Sequence, residues 1–139
     1  MIELENTTSL TVDKNLLNTI AISLTQKEIE LIITSDKEIQ KINKEHRGID
    51  KSTDVLSFPY MVMPMSPLGS IVISAQHVEL KAEELGHTNI DELSLLFIHG
   101  LLHLLGFDHE VDNGEMRIEE ARLIEIFGLP KSLIIRTQG

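Results

Sequence analysis

The sequence predicts a single-domain α+β fold over residues 1–139, a mixed four-stranded sheet packed with about five helices on its two sides. Three observations carry this. A length of 139 residues suits one domain and is short for two. A composition of 42% hydrophobic and 24% charged residues, with 8 Gly and 4 Pro, can bury a core and excludes disordered, collagen-like or low-complexity structure. The hydrophobic patterns run strand, helix, strand, helix, two strands and three helices, with no internal repeat and no linker.

Each element has a local reason. Ile2 to Glu5 alternates apolar and acidic residues, as a short strand does. Asp13 caps a helix carried by Leu16, Leu17, Ile20 and Leu24, expected to run to Leu24. Glu28 to Thr34 (EIELIIT) alternates and then turns continuously apolar, the pattern of a strand entering a buried position. Ser35 or Asp36 caps the next helix, with Ile39 and Ile42 on one side and Lys37, Lys41 and Lys44 on the other, stopping near Arg47-Gly48. Asp54 to Tyr60 is a strand closed by Pro59, and that proline marks it as an edge. Gly69 to Ser74 is the fourth strand, and the prolines of MVMPMSPL deny a regular strand between the two. Ser74 opens a helix to Leu85. Thr88 with Asp91 has capping-box spacing for a helix to Leu105, and Asp112 with Glu115 repeats that spacing before a last helix to Phe127.

With no cysteine, disulfides and Cys-ligated metal sites are excluded, so any metal must use His, Asp or Glu. The N-terminus has no apolar targeting segment, and the longest apolar stretch, Leu95 to Phe107, is broken by His99, Gly100 and His103. A soluble, cytoplasmic protein without membrane association is expected. The net charge of −10 argues against non-specific nucleic-acid binding through the whole-molecule field, and no DNA partner is expected. Charge is unevenly distributed, however. Lys37, Lys41, Lys44, Arg47 and Lys51 cluster within fifteen residues, while Asp108 to Glu125 holds seven acids against Arg117 and Arg122.

The segment Ile98 to Glu110, IHGLLHLLGFDHE, carries the chemistry. His99 and His103 stand four residues apart, one turn apart on the same helix face. Gly106 can adopt a left-handed conformation that ends the helix and brings His109 back as a third ligand. Three neutral imidazoles leave one tetrahedral position open, the arrangement of a catalytic zinc site rather than a closed structural one. One Zn2+ per chain is therefore expected on His99, His103 and His109. The helix around them is apolar on almost every side, and unpartnered imidazoles there would cost about 1–3 kcal/mol each. His46, His77 and His87 have no such partners in sequence and are read as structural.

The spacing H-x3-H-x2-G-x2-H matches the metzincin peptidase pattern, except that Gly100 replaces the Glu that serves as general base there. A zinc peptidase lacking that Glu is therefore one alternative reading. The same segment matches every specified position of H-G-x-L-H-L-x-G-[FY]-D-H. A second block, Asn43 and Arg47 followed by Thr53-Asp54-Val55-Leu56-Ser57-Phe58-Pro59, joins Leu68-Gly69, Ile71 and the Met116/Glu120 pair. On these motifs, spanning about residues 40 to 128, the chain resembles the YbeY family of bacterial single-strand-specific endoribonucleases, the rRNA maturation factors. Ser70 departs from the family's usual Asp.

The resemblance implies zinc on His99, His103 and His109 and a catalytic Arg47. It implies a metzincin-like sheet with an antiparallel edge strand over the metal cleft. It also implies action on single-stranded rRNA and the ribosome, in small-subunit 3′-end processing and quality control. A non-catalytic ribosome-binding metalloprotein is the other alternative. Phosphodiester cleavage builds negative charge, which a zinc ion and the bidentate fork of Arg47 would stabilise. Lys37, Lys41 and Lys44 form one helical stripe able to track phosphates, equally readable as a solvated face. Phe58 is expected in the core and Tyr60 as the better base-stacking residue. Met61 to Met65 is expected as loop packing, and Asp108 as a turn residue or a support for an imidazole. Whether water or the RNA 2′-OH attacks is left open by the residues.

Overall fold

The computed structural model of the chain describes residues 1–60, 66–108, 110–131 and 133. Nine elements follow in order: β1 (Ile2–Asn6), α1 (Lys14–Ile22), β2 (Ile29–Thr34), α2 (Asp36–Arg47), β3 (Val55–Pro59), β4 (Gly69–Ser74), α3 (Ala75–Leu85), α4 (Asn89–Leu104) and α5 (Glu115–Ile126). The expectation of four strands and five helices is met, and so is that of an α+β fold.

The sheet order is β1-β2-β4-β3. β1 and β4 flank β2 in parallel, and β3 pairs antiparallel with β4 at the edge, with Ser57 opposite Ile71 and Pro59 opposite Gly69. Alternation sorts the side chains. Leu31, Ile33, Ile71, Ile73 and Val55 join a core with residues of α1, α3, α4 and α5. Leu56 and Val72, with Ile32 and Phe58 beside them, meet Ile39 and Ile42 of α2 on the opposite face. α2 and α4 therefore lie on opposite faces of the sheet, and each reaches the β3 edge.

Side-chain caps set most helix starts: Asp13, Ser35, Ser74 and Thr88 each accept a hydrogen bond from an N–H of the first turn. Most boundaries fall within a residue of expectation, and two helix boundaries differ by more, for local reasons. α1 stops at Ile22 rather than Leu24, where the Ser23 hydroxyl donates to the Ile20 carbonyl and Leu24 and Thr25 both bond Ala21 in a turn. α5 begins at Glu115 itself, so the Asp112/Glu115 capping box is displaced. Gly114 holds the cap position, and Asp112 reaches over it to accept from the Gly114 and Met116 N–H groups at 2.8 and 2.9 Å. Among the described residues, no helix is long and apolar enough to cross a membrane.

Candidate active site: a histidine and arginine cleft at the sheet edge

α4 is the central helix, its residues from Glu92 to Leu104 buried except at His99 and His103, which are half-buried. Those two positions open onto a cleft of about 420 Å³, lined also by Arg47, Asp54, Val55, Leu56, Ser57, Pro59, Asp108 and Glu110. The Nε2 atoms of His99 and His103 lie 3.1 Å apart. Each ring is held from behind. His103 Nδ1 is 3.0 Å from the Phe107 carbonyl, which can only accept, so that nitrogen carries the proton. His99 Nδ1 is 3.3 Å from Oε1 of Glu120 on α5, whose side chain is buried. With both Nδ1 atoms donating, both Nε2 atoms are left as acceptors, 3.1 Å apart.

The turn after α4 shapes this site. Gly106, at φ 99°, gives its N–H to the His103 carbonyl, and Phe107 gives its N–H to the Leu102 carbonyl. This is the Schellman end of a helix, and it requires a residue free to enter the left-handed region. The same turn aims the Phe107 carbonyl back at His103, so the stop signal and the orientation of the imidazole have one cause.

The donor set suits a zinc ion. Zn–N bonds of about 2.0–2.1 Å at tetrahedral angles place ligand nitrogens roughly 3.3 Å apart, close to the separation seen here. A carboxylate and a carbonyl on the far ring nitrogens are the usual supports of metal-bound imidazoles. Among the described residues, no three His, Asp or Glu side chains converge as a metal site. The expected third ligand, His109, lies outside the described residues, as does the Met61 to Met65 segment.

Arg47 ends α2, exposed, on the other side of the cleft. Asn43, one turn earlier and buried, gives its amide to the Lys51 carbonyl at 3.0 Å, while its main-chain carbonyl accepts from Ile49. Asn43 thus ties down the loop that follows Arg47. Lys37, Lys41 and Lys44 are all exposed on α2, away from its buried Ile39 and Asn43.

Of the remaining candidates among the described residues, Asp108 lines the cleft, and the others have partners elsewhere in the fold. Phe58 packs in the α2-facing core against His46, with ring centroids 5.3 Å apart. Tyr60 is exposed, its hydroxyl bonded to Ser70 and, at 2.8 Å, to Glu30. The Ser70 contact lowers the Tyr60 pKa, but burial and the Glu30 carboxylate together outweigh it and raise the phenol above its ordinary value. Ser70 also donates to Glu30 at 3.0 Å, so a carboxylate stands beside this position, contributed by the neighbouring strand. Asp108 takes the turn role: its carboxylate accepts from the Glu110 N–H and its carbonyl from Val111 and Asp112. His77 pairs with Asp36 at 2.6 Å, and His87, whose side chain is buried, with Glu92 at 2.9 Å.

Gly100 sits where α4 packs closely against the sheet. A Cβ there would meet Ile71 Cγ2 at 2.8 Å and Ser57 Oγ at 3.1 Å, and Ser57 Oγ already donates to the Gly100 carbonyl at 3.0 Å. The position that carries a peptidase's Glu thus admits a side chain only if Ile71, Ser57 or α4 gives way. Gly100→Ala is expected to lose up to about 2 kcal/mol in chemical denaturation, overpacking of about 1–3 kcal/mol being offset by the roughly 1 kcal/mol better helix propensity of Ala. A rise in unfolding free energy by the full propensity gain would show that the neighbours of Gly100 give way at no cost.

A sheet edge flanked by a histidine pair and an arginine defines a class of α+β protein with a polar cleft along its antiparallel edge strand. The family model described as endoribonuclease YbeY matches residues 2–128, and the chain belongs to that family. Curated relatives named endoribonuclease YbeY agree over their full length. The protein of Sulfurimonas denitrificans is 63% identical, with 100% of both chains covered. That of Aliarcobacter butzleri is 59% identical, with 98% of this chain and 99% of the relative covered. A solution structure of a Thermotoga maritima protein superposes with a TM-score of 0.64 at 30% identity, covering 91% of this chain and 89% of the other.

Proposed function

We propose that the protein is a zinc-dependent, single-strand-specific endoribonuclease acting in rRNA processing, including 3′-end maturation of small-subunit rRNA, and in ribosome quality control. The observation that carries this reading is the meeting, in one cleft, of His99, His103 and Arg47, which stand at the positions of the family's own motifs. His99, His103 and His109 would hold one zinc ion, which when bound supplies Lewis-acid stabilisation of charge at the phosphodiester. The chain's own groups do the rest. Glu120 and the Phe107 carbonyl fix the imidazoles in the tautomer that binds metal. Arg47 offers two parallel donors to the phosphoryl oxygens from across the cleft. Gly100 leaves no carboxylate where a metzincin peptidase has its general base, which counts against peptide hydrolysis.

The test pairs elemental analysis of chelator-free protein with cleavage of single-stranded RNA, duplex RNA and a peptide mixture. One zinc per chain with cleavage confined to single-stranded RNA is expected. Peptide hydrolysis would establish the peptidase alternative, and ribosome binding with intact RNA the non-catalytic one.

The α2 stripe gives a second measurement. A chain of net charge −10 must hold an anionic strand through a local patch. If Lys37, Lys41 and Lys44 each contact a phosphate, changing all three to Gln should weaken single-stranded RNA binding and lower the salt slope by about two units, at roughly 0.7 per contact. A parental slope would place the strand elsewhere.

A further inference from the structure

We propose that the main-chain N–H of Ser57 is a specificity-determining donor of this cleft, taking an acceptor oxygen of the RNA backbone on an edge that denies a peptide its ladder. The inference rests on the endoribonuclease reading and names a group that selects the substrate class.

The β3/β4 register fixes which backbone groups face the cleft. Ser74 donates to the Asp54 carbonyl and Tyr60 to the Leu68 carbonyl, just beyond the two ends of the ladder. Antiparallel pairs alternate, so Leu56 and Phe58 bond inward to β4, whereas Val55, Ser57 and Pro59 turn their N–H and C=O sides to the free edge. On that outward row, the Val55 N–H is already given to Asp54 Oδ1 at 2.8 Å, and Pro59 has no N–H. Among the described residues of this strand, the outward donor left to a substrate is Ser57.

A peptide that adds to a strand edge needs both an N–H and a C=O from every second residue. Here one outward residue in three offers both. A phosphodiester asks less, because its oxygens only accept. The position of Ser57 suits that partner. Its side chain is anchored to the Gly100 carbonyl, next in sequence to His99 on one face of the sheet, while Arg47 approaches from α2 on the other face. An oxygen lying against the edge between the histidine pair and the guanidinium meets the Ser57 N–H, which a fixed strand cannot rotate away.

Three proteins separate hydroxyl from amide: Ser57→Ala, Ser57→Pro, and full-length protein with the α-hydroxy analogue of serine at 57, which puts an ester oxygen in place of the N–H. Pro59 shows that this outward row accepts proline. Binding would be read with 2′-O-methyl single-stranded RNA and cleavage with the unmodified strand, alongside zinc content and melting temperature. Ser57→Ala is expected to bind within about twofold of the parent, and the proline and ester forms about tenfold more weakly, with zinc content unchanged. If the proline form does not fold, the ester form decides. Parental binding by the ester form, in a protein that cleaves single-stranded RNA, overturns the role of the amide and leaves the enzyme reading standing. A parent that neither binds nor cleaves RNA overturns both.

Discussion

His103→Ala should remove the metal and the stability that the metal confers in one step. The half-buried imidazole lines the cleft, its Nδ1 bonded to Phe107 O at 3.0 Å and its Nε2 3.1 Å from that of His99. Two losses follow from the truncation. The Phe107 carbonyl loses a partner, worth about 1 kcal/mol. A metal present at a hundred times its Kd stabilises the fold by about 2.7 kcal/mol, and this stabilisation disappears with the ligand. For a chain of 139 residues the sum lowers the melting temperature by roughly 10 °C in metal-replete buffer. In chelator the variant should differ from the parent only by the hydrogen-bond part. Melting curves with and without zinc, together with metal content, measure both. A parent whose melting temperature ignores zinc would remove the metal from the account. Zinc affinity of the parent should also fall on acidification, because a protonated imidazole ceases to be a ligand.

Much of this site was legible in the sequence because its signals are local. His99 and His103 share a helix face by spacing alone, Thr88 and Gly106 bracket that helix, and Pro59 marks the edge strand. Arg47 followed from the family motif, not from periodicity. Other features depend on tertiary docking and have no local signature. Glu120 reaches His99 from a helix 21 residues away, and only its place in the family motif hinted at a role. Asn43 acts through a loop eight residues on, against Lys51. The close approach at Gly100 depends on where α4 crosses Ile71, and the outward row of β3 on a pairing register that period-2 alternation does not set. The displaced α5 cap arises because Gly114 adopts φ 102°, letting Asp112 reach the Met116 N–H, one residue further than the capping-box spacing implies.

Arg47→Ala should do the reverse of His103→Ala, abolishing turnover while leaving fold and metal in place. Arg47 is exposed at the C-terminal end of α2, where its charge contributes to stability mainly through the helix dipole, about 0.3–1 kcal/mol. The melting temperature should therefore fall by no more than about 4 °C, and zinc content should match the parent. Catalysis is a different matter. In phosphoryl transfer the protein works chiefly by positioning and by neutralising charge as it develops, and loss of one preorganised donor costs about 10²–10³ in rate. Removing a guanidinium takes away both donors of the fork, so kcat on single-stranded RNA should fall by at least that factor. Arg47→Lys should recover only part of it, because an ammonium restores the charge without the planar two-point contact. Full recovery by Lys would mean that charge alone is needed. Loss of metal or of cooperative melting in Arg47→Ala would make the residue structural, and the cleft would then need another cation opposite His99 and His103 to meet the phosphate.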